Sequence, residues 1–175
     1  LDSGSVATLN YANKVTAMIL GVGAMALGTA VLPHFSRLVA SENWGELRHT
    51  FKTYSILIIF ITLPIMVLLF VFSEPIIKLL FERGAFTAQD TILVAKTQAF
   101  YVLQLPFFML GILGVRLISA MAKNEALLKI SAVNLMINII GNYMLMKYFG
   151  VAGIALSTAL VYMMSCGMIY FFIYK

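Results

Sequence analysis

Five long stretches of the 175-residue sequence are almost free of charge, and they restrict the possible folds more than any other feature. They cover residues 6–33, 54–72, 97–115, 130–146 and 149–174, with Lys14 as the one charged residue inside them. A helix needs about 20 mostly apolar residues to cross about 30 Å of hydrocarbon. The sequence therefore predicts an all-α, polytopic membrane helix bundle, with about five transmembrane helices in a single transmembrane region, 1–175.

Composition excludes the other broad classes of chain. Hydrophobic residues make up 62% of the sequence and charged residues 11%, whereas an average soluble domain carries about 25% charge. A disordered or nucleic-acid-binding chain needs more charge, and the single Cys166 cannot form an internal disulfide. Because the sequence starts at Leu1 and ends at Lys175 directly after an apolar run, we expect an internal segment of a longer protein.

The basic residues between the stretches predict the orientation in the membrane. One side carries seven of them: Arg37, Arg48, Lys52, Arg116, Lys123, Lys129 and Lys175. The other side carries four: Lys78, Arg83, Lys96 and Lys147. By the positive-inside rule, we expect the N-terminus outside and the C-terminus in the cytoplasm.

Short polar signals predict structure between the stretches. Ser41 is positioned to cap a separate short helix in the membrane interface. On the opposite side, residues 73–75 (Ser-Glu-Pro) predict a helix start, and residues 87–90 resemble a capping box. Pro64 and Pro106 lie inside the second and third stretches, where proline is expected to kink a helix.

Lys14 is the most informative polar residue, because a lysine inside a span costs a few kcal/mol unless it meets water, protein or an anion. Alternating steps of three and four residues from Ala7 pass through Lys14 and meet only small or polar residues: Asn10, Lys14, Ala17, Gly21, Ala24 and Gly28. Such a helix face either packs closely on another helix or lines a cavity, and its polar members favour a cavity. The alternative is a lysine that reaches out to the headgroups.

The fourth stretch carries three asparagines at successive i, i+4 spacing: Asn134, Asn138 and Asn142. Amides inside a membrane need partners. They either hydrogen-bond to a neighbouring helix or line a transport path in which their oxygens bind a small cation. Arg116, at the end of the third stretch, is either an interface anchor or a contact for a phosphate group.

The sequence contains no pattern that indicates enzyme chemistry. His34 and His49 have no cysteine or carboxylate at metal-ligand spacing, and no nucleotide-binding loop or catalytic triad is found. All seven acidic residues lie outside the five stretches. We therefore expect no enzyme chemistry, no metal, no cofactor and no proton relay confined to this segment.

Two motifs resemble those of a known family. Residues 80–91 read LFERGAFTAQDT, which resembles the LFxRGxFT-x-x-D signature of the MurJ/MviN lipid II flippases. Residues 9–14 (LNYANK) resemble that family's L-x-Y-A-x-R segment. Residues 150–158 (GVAGIALST) fit the wider multidrug/oligosaccharidyl-lipid/polysaccharide exporter superfamily.

The resemblance implies part of the C-terminal lobe of a two-lobed, MATE-like transporter in the bacterial cytoplasmic (inner) membrane. Such a protein moves lipid II, the undecaprenyl-pyrophosphate-linked peptidoglycan precursor, by alternating access during peptidoglycan biosynthesis. The partners implied are this lipid-linked glycan, the bilayer and the N-terminal lobe of the same chain, with no nucleic acid.

The resemblance also implies roles for individual residues. Lys14 stands where the family has a cavity arginine, and with Asn10, Asn13 and Arg116 it is expected to bind the substrate. The residues expected to line the cavity are Ala17, Gly21, Ala24, Gly28 and Asn134. Asn138, Asn142 and Thr158 match positions thought to hold sodium in some members, so Na⁺ or the membrane potential is expected to drive transport.

One segment departs from the family pattern. Residues 112–120 (ILGVRLISA) lack the lysine, proline and aromatic residue of the family's K-V-L-A-P-x-F-Y-A segment. The alternatives are therefore a flippase for O-antigen or another lipid-linked oligosaccharide, or a MATE-type drug/cation antiporter. A membrane-embedded glycan transferase would need acidic or metal-binding residues on a catalytic loop, and none is found here.

Overall fold

The computed structural model describes residues 4–175, and this part of the chain forms seven α-helices with no β-strand. The helices are α1 (Ser5–Ala40), α2 (Trp44–Val71), α3 (Ser73–Phe81), α4 (Ala88–Val102), α5 (Leu105–Ala120), α6 (Asn124–Phe149) and α7 (Val151–Tyr174). With α4 and α5 taken as one span, 5 segments of the described part of the chain are long and apolar enough to cross a membrane. The prediction of an all-α membrane bundle with about five spans is confirmed.

The connection between α1 and α2 differs from the prediction. The side chain of Asn43, not of Ser41, caps the next helix, accepting a hydrogen bond from the backbone N–H of Glu46. That helix then continues from Trp44 to Val71 without interruption, so the prediction of a separate interfacial helix is wrong. The physical reason is that no proline or glycine separates its first turns from the second apolar stretch.

Proline interrupts one span and not the others. α4 ends at Val102 and α5 begins at Leu105, directly before Pro106. Pro106 has no N–H to donate to the carbonyl of Val102, so the i→i−4 ladder is broken there. By contrast, α2 continues through Pro64, where the predicted kink does not end the helix.

Local hydrogen bonds stabilise the motif of residues 80–91, which joins α3 to α4. Thr87 and Asp90 form the predicted capping box at the start of α4: the Thr87 N–H donates to Asp90 Oδ2 at 2.8 Å, and the Asp90 N–H to Thr87 Oγ1 at 3.3 Å. The Ser73 hydroxyl donates to the carbonyl of Ala95 at 2.6 Å and ties the start of α3 to α4. Helix α3 therefore lies against the first turns of α4.

Helices α1, α4–α5 and α7 form the centre of the bundle. The main apolar core joins α1, α2 and α5, with Phe35, Phe51 and Leu113 almost fully buried in it. Helix α6 packs chiefly on α7 and has no buried residue of its own. The arrangement leaves one face of α1 open to the region between α4–α5 and α7.

Candidate functional site

A cavity of about 430 Å³ lies beside the small-residue face of α1. It is lined by Asn13, Ala17, Leu20, Gly21 and Ala24 of α1, by Tyr101, Gln104 and Phe108 of the interrupted span, and by Thr158 and Tyr162 of α7. Five of the residues singled out from the sequence therefore meet here: Asn13, Ala17, Gly21, Ala24 and Thr158.

The cavity exists because α1 presents almost no side-chain volume along this face. No atom lies within 4 Å of the position that a Cβ would take at Gly21. On the opposite wall, the break before Pro106 places Gln104 between the two half-helices. The lining carries amide and hydroxyl groups and no charged side chain, so it can exchange hydrogen bonds with a neutral polar ligand.

Lys14 lies near this cavity but not in its lining. Its side chain is exposed, and its Nζ lies 4.6 Å from the centre of the Tyr11 ring and 6.0 Å from that of Phe81. Tyr11 in turn meets the edges of Phe81 and Phe86, with centroid distances of 5.2 Å and 5.4 Å. The Lys14 ammonium thus lies chiefly on Tyr11 of its own helix, and Phe81 of the motif supplies the second, more distant ring.

Asn10 is also exposed, on the turn of α1 that precedes Lys14. Asn10, Asn13, Lys14, Ala17 and Gly21 are all uncovered by the rest of residues 4–175. A polar face of a membrane helix that its own bundle leaves uncovered must meet water or protein elsewhere, because lipid cannot satisfy it.

Arg116 does not extend away from the bundle as an interface anchor would. Its guanidinium lies against Gly28, where a Cβ would stand 3.0 Å from Nη2. Its Nε is buried and has no hydrogen-bond partner in the described part of the chain. Gly28 is therefore a contact of Arg116 and is outside the lining of the cavity.

The asparagines of α6 face α7 and not the cavity. Asn134 was expected to line it, but its Nδ2 donates to the hydroxyl of Ser165 at 2.8 Å, because α6 packs on the far side of α7. Asn142 Nδ2 donates to Asn138 Oδ1 at 2.9 Å, and Asn142 Oδ1 is buried without a partner among residues 4–175.

The third residue of the expected cation site lies on a different side of α7. Thr158 lines the cavity, and its hydroxyl donates to the carbonyl of Ile154 at 2.9 Å. Ser157, its neighbour, is the residue whose hydroxyl points at α6, where it contacts the position of Gly141. No group of three His, Cys, Asp or Glu side chains suited to a metal ion occurs within residues 4–175.

Sequence reasoning missed the aromatic part of the lining, which comprises Tyr101, Phe108 and Tyr162. Phenylalanine and tyrosine also occur at many other positions of the five stretches, so their presence here did not distinguish a cavity lining from a lipid-facing surface. Pro106 was the available clue, since an interrupted span is a frequent element of transport sites.

Comparisons with known proteins agree on one family. The model of the family described as "Lipid II flippase MurJ" matches residues 1–175. Curated proteins named probable lipid II flippase MurJ match with 38% identity over 107 residues in Rhizobium meliloti (61% of this chain, 20% of that protein) and 30% over 154 residues in Synechocystis (88% and 29%).

A relative from Buchnera aphidicola subsp. Schizaphis graminum is 26% identical over all 175 residues, which cover 34% of it. A solved structure titled "Lipid II flippase MurJ, inward closed conformation" superposes with a TM-score of 0.87 at 28% identity, covering 99% of this chain and 37% of that one. The chain therefore spans between a fifth and about a third of the curated relatives described here. Because the family model covers it from end to end, the chain belongs to the lipid II flippase MurJ family.

Proposed function

We propose that this chain is the part of a lipid II flippase that supplies one wall of its substrate cavity. The observation that carries this proposal is the cavity of about 430 Å³ on the small-residue face of α1, in a chain that the family model matches throughout. The complete protein moves an undecaprenyl-pyrophosphate-linked peptidoglycan precursor across the bacterial cytoplasmic membrane by alternating access, without covalent chemistry.

The chemistry of this wall suits such a substrate. Hydroxyl and amide groups at Asn13, Tyr101, Gln104, Thr158 and Tyr162 can exchange hydrogen bonds with sugar hydroxyls and peptide amides. Lys14, at the edge of the same face, attracts the two phosphoryl groups, while the polyprenyl chain stays in the bilayer. An apolar cationic drug would find neither a carboxylate nor a wholly apolar surface in this lining.

The orientation follows from the distribution of basic residues. We place the N-terminal end of α1 and the loop between α3 and α4 on the outer side of the membrane, and the end of α7 in the cytoplasm. Lys14 then lies in the outer half of the transport path.

Filling the cavity tests the function. In the complete protein, Gly21→Phe places a ring in the cavity and is expected to abolish rescue of a flippase-depleted strain and translocation of labelled lipid II in proteoliposomes. Val22→Phe is the matched control, because Val22 is 71% exposed and outside the cavity lining, and it should retain transport. Full transport by Gly21→Phe at normal membrane abundance would contradict the role of this cavity, and a parent protein that does not translocate lipid II would contradict the function itself.

We also propose that a sodium ion couples to transport through oxygens of α6 and α7. Asn142 Oδ1 and Ser157 Oγ are both buried without a partner in the part of the chain described, and such oxygens are suitable ligands for a hard cation. Thr158 stays a candidate through its place on α7, although it lines the cavity.

Removal of the Asn142 amide should therefore raise the Na⁺ concentration needed for half-maximal transport by roughly tenfold, the effect of about 1.4 kcal/mol of lost binding. The measurement is lipid II translocation against Na⁺ concentration for Asn142→Ala, with Tyr143→Ala as the control at an exposed neighbouring position. Transport by the parent that does not respond to Na⁺ would exclude sodium and leave the membrane potential as the driving force.

A further inference from the structure

Arg116 is a cation held at the opposite end of the face that carries Lys14. Its guanidinium lies on Gly28, with Nη2 3.0 Å, Cζ 3.6 Å and Nε 3.8 Å from the position of a Cβ on that residue. Gly28 and Lys14 are on the same face of α1, about 21 Å apart along the helix axis at 1.5 Å per residue. The two cations therefore mark the two ends of one helix face, and four cavity-lining residues of α1 lie between them: Ala17, Leu20, Gly21 and Ala24.

Arg116 is partly buried between α5 and α1. Its neighbours on α5, Leu113 and Leu117, are buried in the apolar core. Its Nε is buried and has no hydrogen-bond partner within residues 4–175. A guanidinium in a membrane protein is costly unless it pairs with an anion or reaches water. Because this side chain reaches from α5 onto Gly28 of α1, an anion that arrives on the α1 face would pair with it.

We propose that Arg116, in contact with Gly28, is the second of two anion-binding side chains on this face, the first being Lys14. The diphosphate group of the substrate then passes from one of these cations to the other during transport. This inference rests on the proposed function and adds a second contact to it. Arg116 would bind two oxygens of a phosphoryl group with its planar fork, whereas Lys14 provides a point charge. Gly28 is a positioning residue, since a β-branched side chain there would take the space that the guanidinium occupies.

Restoring the charge chemically tests the role of Arg116. In the complete protein with Cys166→Ala and any other cysteine replaced, Arg116→Cys should lower lipid II translocation at least tenfold in proteoliposomes. Reaction with aminoethyl methanethiosulfonate, which adds a positive charge, should restore much of the rate, and the negatively charged sulfonatoethyl reagent should not. Equal recovery with both reagents, or unchanged transport by the unreacted variant, would overturn the inference.

The phosphate group that Arg116 binds could belong to the substrate or to a lipid headgroup, and vesicles of different composition distinguish these two sources. In pure phosphatidylcholine, which carries no net charge, the defect of Arg116→Cys should persist, because the substrate supplies the anion. A defect that appears only when phosphatidylglycerol is added would assign Arg116 to a lipid headgroup and overturn the proposal.

A double-mutant cycle tests the contact between Gly28 and the Arg116 guanidinium. Gly28→Val should reduce translocation about as much as Arg116→Ala. The double variant should be no worse than either single variant, because both changes remove the same contact. Gly111→Val on α5 is the matched control, since no atom lies within 4 Å of a Cβ there, and it should transport normally. Additive losses would overturn the coupling. If the parent transports lipid II while the Arg116 variants transport equally well, this inference falls and the proposed function stands.

Discussion

Replacing Lys14 with glutamate in the complete protein is expected to abolish lipid II translocation, whereas Lys14→Arg should retain most of it. A carboxylate in place of the ammonium turns attraction of a phosphoryl group into repulsion, and two unit charges about 4 Å apart interact by about 4 kcal/mol near a protein surface. A loss of that size corresponds to roughly a thousandfold change in binding. Arginine keeps both the charge and a favourable contact with the rings of Tyr11 and Phe81.

The measurement is translocation of labelled lipid II in proteoliposomes, together with rescue of a flippase-depleted strain. Lys78→Glu is the control, because Lys78 is an exposed lysine on α3 that is outside the cavity lining. Full activity of Lys14→Glu would remove Lys14 from the transport path, even if the cavity itself proved essential.

Gly153→Ala is expected to destabilise the hairpin of α6 and α7 by about 2–3 kcal/mol, which is large for the addition of one methyl group. A Cβ on Gly153 would collide with the backbone carbonyl of Leu145 and stand 2.9 Å from the backbone nitrogen of Met146. Backbone atoms within a helix cannot move aside as the end of a side chain can, so the two helices would have to separate.

Unfolding of the complete protein in bicelles, titrated with a denaturing detergent, measures this effect. Gly167→Ala is the matched control on the same helix: no atom lies within 4 Å of its Cβ position, and alanine has the higher helix propensity. Gly167→Ala should therefore unfold at the same point or later. Equal midpoints for both variants would show that α6 and α7 do not approach as closely as described.

Features that depend on neighbours in the sequence were predictable. The length of each apolar stretch determines whether it can span a bilayer, and residues 4–175 contain 5 such spans. The capping box at Thr87 depends only on groups three residues apart, and it forms as predicted. The cap of the following helix was predicted wrongly at Ser41, because Asn43 is only two residues away and is an equally good cap. Local patterns identify helices well and their first residue less well.

The partners of the polar residues depended on the packing of distant helices. The stripe through Lys14, Ala17 and Gly21 was visible in the sequence because a helix repeats every 3.6 residues. That Lys14 rests on Phe81, that Arg116 lies on Gly28, and that Asn134 reaches Ser165 follow only from how the helices are arranged. The sequence alone thus determined the spans and the polar face of α1, because both follow from periodicity and length. Only the tertiary structure decided what each polar group meets, because those contacts join helices whose relative positions no local pattern encodes.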